Sequence, residues 1–203
     1  MDKEYIKQFW ENRSKLSNMM WNNSIFPYNI KIINGYTNYK SKVLDLGAGD
    51  GRISKTIAPT VTHVTAVDYT KRINEIKSKN ITTIVDNILN VKLKEGSFDI
   101  IILFGVTNYL NDEDVDILYK NCRKWLCEDG ILLIKHQCGI ENDVLIDKYS
   151  PKFEARYVAV YRGESHDKNM LEQAGFTIKV LDPYPKEFNT WGNTIFRLFE
   201  AHK

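Results

Sequence analysis

Long hydrophobic runs are missing from this chain. The longest apolar stretches, Ile100 to Val106 and Ile131 to Ile134, fall far below the roughly 18 residues of a membrane-spanning helix and read as strands buried on both faces. No membrane partner is expected. Cysteine is scarce as well. Cys122, Cys127 and Cys138 are odd in number and form no C-x-x-C pair, which argues against a disulfide framework or a zinc site and for reduced thiols. The start, Met1-Asp2-Lys3-Glu4, leads into no apolar signal region, so a cytoplasmic protein is expected. Basic runs are absent and the formal charge is only +2, so a nucleic-acid partner is not expected. Without an internal repeat, a low-complexity stretch or a linker, one domain is the economical reading.

What is present suits an ordinary α/β domain: 203 residues, 43% hydrophobic and 27% charged. Ile6, Phe9, Trp10, Leu16 and Met20 recur at broadly helical spacing before Asn22-Asn23-Ser24 and Pro27 break the pattern. From residue 42, short strands alternate with helices. Strands are expected at 43–46, 63–67, 81–85, 98–103 and 131–134, and helices at 52–58, at 70–79 and after Asn111. In the last of these helices Val115, Leu118, Cys122, Trp125 and Leu126 form one apolar stripe. Such alternation demands crossovers, hence a parallel sheet covered on both faces. A helix through Met170, Leu171 and Ala174 should stop at Gly175, followed by strands at 176–181 and 193–200 that pair as a C-terminal antiparallel hairpin. Between residues 138 and 166 only Tyr157 to Tyr161 looks β-like.

The informative string is Val43-Leu44-Asp45-Leu46-Gly47-Ala48-Gly49-Asp50-Gly51. A glycine turn between a strand and a helix brings backbone N–H groups close to a ligand. A dinucleotide fingerprint would want Gly-x-Gly-x-x-Gly/Ala, but the position needing its last small residue is Arg52. Asp45 would repel a pyrophosphate and hold an ammonium. The second strand ends in Asp68, placed to accept ribose hydroxyls, with Tyr69 beside it. The third ends at Asp86-Asn87-Ile88, where a carboxylate can accept from the adenine amine and an apolar neighbour can pack on the ring. Singly, each acid reads as a cap or turn residue. Three on consecutive strands read an amine, a ribose and an adenine.

On these pieces, with Phe98-Asp99-Ile100-Ile101-Ile102, Asp129-Gly130-Ile131-Leu132 and Ala174-Gly175-Phe176, the chain resembles the class I S-adenosylmethionine-dependent methyltransferases of small-molecule type. The resemblance implies a Rossmann-like, seven-stranded, mostly parallel sheet with helices on both faces. It implies S-adenosylmethionine as cofactor and S-adenosylhomocysteine as product. The single domain would divide into a helical cap (1–40), a cofactor-binding core (41–136), an acceptor-lid insertion (137–166) and a last helix with the C-terminal hairpin (167–203). Gly47, Ala48, Gly49, Gly51 and Phe104 would line the cofactor. Trp10-Glu11-Asn12-Arg13 resembles the opening helix of many members, with Arg13 meeting the cofactor carboxylate or lying exposed.

A hydroxyl acceptor needs a general base. His136, at the end of the fifth strand, is the candidate; the alternative is a structural histidine. His166, at a helix start, is explained equally by capping. The loop from Phe104 to Tyr109 has no proline, unlike enzymes that methylate nucleic-acid bases or glutamine amides. Trp21, Tyr28, Tyr109, Tyr157, Tyr161 and Arg162 are candidates to meet the acceptor, and Tyr161-Arg162 points to an anionic or sugar-like one unless the pair is simply packed and solvated. The expectation is O- or N-methylation of a small molecule, a sugar or nucleotide-sugar among them, by a monomer or homodimer. RNA or protein methylation and a catalytically silent cofactor-binding module are the alternatives.

Overall fold

A computed structural model describes residues 2–13 and 24–203. Seven strands form one sheet in the order β3-β2-β1-β4-β5-β9-β8. They are β1 (Lys42–Leu46), β2 (His63–Asp68), β3 (Ile81–Val85), β4 (Phe98–Phe104), β5 (Leu126–Gly139), β8 (Thr177–Leu181) and β9 (Thr194–His202). All pairs from β3 to β5 are parallel, and β9 is antiparallel to both of its neighbours. The order reverses between β1 and β4, the switch point at which open α/β sheets bind ligands beyond the strands' carboxyl ends.

Helices cover both faces. Among the described residues they are α1 (Lys3–Arg13), α2 (Phe26–Tyr36), α3 (Arg52–Ile57), α4 (Asp112–Trp125) and α5 (Glu164–Gln173). The period-two pattern of the strands builds two cores. Val43, Ile100, Ile102 and Leu133 pack with Ile33 of α2 and Ile57 of α3. Leu44, Leu46, Ile101, Leu103, Leu132 and Ile134 pack with Val115 and Leu118 of α4 and Leu171 of α5. Helix α4 starts where Asn111 accepts a hydrogen bond from Asp114 N at 2.9 Å. Three acids in its first turn and Arg123 and Lys124 in its last suit the helix dipole.

Four expectations need correction. Residues 70–79 form no α-helix; a 3-10 turn, Lys71–Glu75, replaces it, and Ile73 and Ile76 are buried against Ala66. The expected helical pattern through Leu16 and Met20 runs into residues outside the described ones, but an unexpected helix, α2, follows, with Pro27 in its first turn, where its missing N–H has no partner to lose. The fifth strand is longer than 131–134: Leu126 already pairs with Phe98, and the register shifts between Phe98 and Ile100 before pairing resumes at Ile131. The 138–166 stretch holds two strands, β6 (Val144–Ser150) and β7 (Ala155–Tyr161), paired antiparallel as a separate hairpin sheet. Among the described residues no helix is long and apolar enough to cross a membrane.

Candidate active site

The glycine turn sits at the carboxyl end of β1. Gly47, Gly49 and Gly51 have φ of 72°, 59° and 69°, values that side-chain-bearing residues rarely adopt. Two of them are also sterically required. A β-carbon on Gly51 would strike Ile76 Cδ1, and one on Gly47 would strike Val106 Cγ2. Gly49 borders open space, as does Gly105 just past β4. These two glycines mark opposite banks of the crevice at the switch point.

Asp68 stitches the turn. Its Oδ2 accepts from Gly49 N at 2.8 Å, and its Oδ1 from Thr70 N and Oγ1 at 2.8 and 2.7 Å. An ionised carboxylate offers about four lone-pair sites, so one acceptor position remains. Gly47 N and Ala48 N donate to Val67 O. At the third strand, Asp86 N donates to Asp68 O and Asp86 Oδ1 accepts from Asn87 N, drawing the two strand ends together. Ile88 is buried in the α4-side core beside Leu46 and Val67. The turn, its open flank and the acidic strand ends fit an adenosyl amino acid. Its sulfonium supplies an activated methyl group.

Asp45 differs from its expected role as a direct ammonium contact. It is buried, and Ser54 of α3 donates to its Oδ2 at 2.6 Å. Burial pushes its carboxyl group up to about 6, with the Ser54 hydrogen bond pulling the other way and Asp68 adding to the rise. Asp45 ties β1 to α3 beneath the turn.

On the acceptor side the structure brings together a row of tyrosines. Tyr109, in the 3-10 turn Thr107–Tyr109, shares a hydrogen bond with Tyr157 of β7 (3.1 Å), which shares another with Tyr161 (3.0 Å). Tyr157 and Tyr161 are an even number of residues apart, so they point to the same side of the strand. Trp10 of α1 stands edge-on to Tyr109, its ring centroid 5.0 Å away. Phe9 packs on Trp10, Phe153 and Tyr157, and Tyr5 Oη donates to Arg156 O, so α1 lies against the hairpin. Burial is the main cause raising all three phenols of the row above their ordinary range, so the row is neutral at physiological pH. Tyr69 is raised by burial and by Asp68 and Glu11, which brings the end of α1 close to the cofactor crevice. Tyr28 packs apart from this row, against Tyr184 and Phe188. Trp21 and the side chain of Arg13 lie outside the described residues.

Two sequence candidates turn inward. His136 is 2% exposed, and both of its ring nitrogens are engaged at 2.8 Å, Nδ1 with Thr107 Oγ1 and Nε2 with Asp167 Oδ2. No ring nitrogen is left to take a proton from an acceptor. The structural alternative therefore replaces the general base. Asp167 comes from α5, far along the chain, and no local pattern announced it. Arg162 is also 2% exposed, and it donates to Thr107 O, Leu110 O and Asp112 Oδ1. It clamps the turn carrying Tyr109 instead of reaching an acceptor. His166 meets Asp143, which also accepts from Gly163 N, so both secure the start of α5. Sequence reasoning missed Phe153 and the roles of Phe9 and Thr107, which arise only when α1, the hairpin and β4 converge.

A family model described as a methyltransferase domain matches residues 43–130. Residues 43–130 thus match a methyltransferase domain, and the fold is that of S-adenosylmethionine-dependent methyltransferases. A phosphoethanolamine N-methyltransferase 1 of Triticum aestivum is 28% identical over 92% of this chain and 42% of its own length. An alpha N-terminal protein methyltransferase 1 of Dictyostelium discoideum is 30% identical over 71% of this chain and 55% of its own. The chain spans less than half the length of each phosphoethanolamine N-methyltransferase it matches among curated proteins. Among solved structures, phosphoethanolamine N-methyltransferase 1 of Haemonchus contortus, in complex with phosphoethanolamine and S-adenosylhomocysteine, superposes with a TM-score of 0.74 at 19% identity. That likeness covers 98% of this chain and 48% of the other, and shows the shared fold.

Proposed function

We propose that this methyltransferase domain methylates the nitrogen of a small amine, with phosphoethanolamine-type amino alcohols as the first candidates. The observation that carries the reading is the row of neutral aromatic side chains, Trp10, Tyr109, Tyr157 and Tyr161, at the acceptor bank. A nitrogen attacks through its lone pair and so must enter unprotonated. Phenol oxygens accept its N–H bonds without holding it as an ammonium, as a carboxylate would. As the N–C bond forms and the S–C bond breaks, positive charge moves from sulfur to nitrogen. Aromatic faces stabilise that product cation. The acceptor's ammonium gives up its proton to solvent before it enters, so no buried general base is called for, which agrees with the inward-turned His136. Positioning then supplies most of the catalysis.

The curated relatives support the same chemistry, since most of those matched are phosphoethanolamine N-methyltransferases. A sugar acceptor loses support, because Arg162, the group expected to meet it, is held inside the fold. A second reading, methylation of a protein's N-terminal amine, draws on the Dictyostelium relative. It also draws on a groove of about 420 Å³ whose polar lining includes Asp2 and the ion pairs Asp147–Arg156 and Asp112–Arg162. Label transfer from methyl-labelled S-adenosylmethionine, with phosphoethanolamine, ethanolamine and protein counted separately, tests both. Label on the small amines upholds the first reading, label in protein alone upholds the second, and label on neither overturns both.

A further inference from the structure

Among the described residues, Lys135 is a cation without a counter-ion. It lies on β5 in register with Phe104, the last residue of β4, and Gly105 N donates to its backbone oxygen. That places it at the acceptor bank, beside Gly105. The residue is 7% exposed. Its ammonium lies over the Phe104 ring at 5.0 Å and the Tyr184 ring at 5.7 Å. Tyr184 is itself fixed by a 2.5 Å hydrogen bond to Asn29 of α2. No described residue gives Lys135 Nζ a hydrogen bond or an ion pair. The buried side-chain polar atoms that lack partners are Tyr119 Oη and Asp167 Oδ1, so Lys135 Nζ keeps some accessible surface among the described residues.

A lysine in this position destabilises the fold, because an ammonium loses hydration on burial and two aromatic faces restore only part of it. Burial alone lowers its pKa to about 8, so most of it remains charged near neutrality. An apolar residue of the same length would pack here at lower cost. A ligand with an anionic end would give the charge a partner.

Resting on the amine-methyltransferase reading, we propose that Lys135, framed by Phe104 and Tyr184, binds the phosphomonoester end of a phosphorylated amino alcohol whose neutral amine end lies at the tyrosine row. Phe104, beside the ammonium, ends β4, and Tyr109 of the row lies in the turn that follows it. The site would then select phosphorylated amino alcohols over the free ones by a charge contact at one end and aromatic packing at the other.

The test is Lys135→Met in the full chain, with inorganic phosphate, phosphoethanolamine and ethanolamine titrated by calorimetry in the presence of S-adenosylhomocysteine. Wild type is expected to bind phosphate, and to bind phosphoethanolamine about tenfold or more tighter than ethanolamine. In Lys135→Met the phosphate binding and the preference should both vanish, with S-adenosylhomocysteine affinity unchanged and the melting temperature unchanged or higher. Equal phosphate affinity in the two proteins, or no phosphate binding by wild type, overturns the proposal. Because phosphate binding needs no methyl transfer, the two readings fail separately. Lys135-dependent phosphate binding without label on any amine keeps the anion site and removes the amine reading. Label on phosphoethanolamine with phosphate binding unaffected by the substitution does the reverse.

Discussion

At Asp45 the fold holds a carboxyl group in surroundings that oppose its ionisation. Folded, it keeps its proton up to about pH 6, against 3.8 for the unperturbed group. Between those values the folded chain binds more protons than the unfolded one, so this residue makes stability fall as pH rises from about 4 to 6. Above pH 6 the full penalty remains. Asn can still accept the Ser54 hydrogen bond but carries no charge. Asp45→Asn should therefore remove that component of the pH slope and raise the melting temperature at pH 7, read by thermal denaturation from pH 4 to 8. S-adenosylhomocysteine affinity should fall in the same variant, because the negative field beneath the turn favours the cofactor's ammonium. A variant that is more stable yet equally tight would show that the charge does not serve cofactor binding. The residues that could be read from sequence were those whose chemistry is local: the glycines forced by positive φ and the acids that end β2 and β3. Asp45 was legible as an acid but not as a tie to Ser54, because that contact depends on how α3 packs back against β1.

Arg162 shows the same limit at the level of elements. Its residue type was noticed and its neighbour Tyr161 does face the tyrosine row. Successive residues at the end of a strand point to opposite sides, however, and Arg162 goes inward to the turn after β4. There its guanidinium reaches two backbone oxygens and Asp112, three acceptors that a lysine cannot span with one fixed fork. Arg162→Lys should loosen the segment carrying Tyr109. Acceptor KM should then rise several-fold or more while S-adenosylhomocysteine binding stays near wild type; equal losses of both would mean the clamp supports the whole crevice. Elements with a strong period, such as α4 and the central strands, could be read directly. Strand β6 could not, because Leu145 and Tyr149 are exposed and its alternation marks no buried face. Helix α2 was hidden by Pro27, whose place in a first turn is favourable although its type suggests a break.

On the scale of the whole molecule, α1 stands apart from the two cores that hold the sheet. Neither core includes Ile6 or Phe9, although both residues are buried. Helix α1 packs instead on the hairpin and the tyrosine row, through Phe9, Trp10 and the Tyr5–Arg156 hydrogen bond. Lys3 adds an ion pair to Asp114, but it is largely exposed and contributes little. On the proposed reading, this division of labour separates folding from acceptor capture. Truncating a buried phenylalanine in a well-packed core costs about 3–5 kcal/mol. At Phe9 the loss should fall mainly on the docked state of α1, which can detach without unfolding the sheet. Phe9→Ala should therefore leave the main thermal transition within a few degrees of wild type and S-adenosylhomocysteine affinity unchanged, while acceptor KM rises about tenfold. Amide exchange would show the reason directly, with faster exchange confined to α1 and the β6–β7 hairpin. A melting temperature that collapsed, with exchange spreading into β4 and β5, would instead make α1 part of the cooperative core, and acceptor capture would then depend on the same contacts that keep the sheet folded.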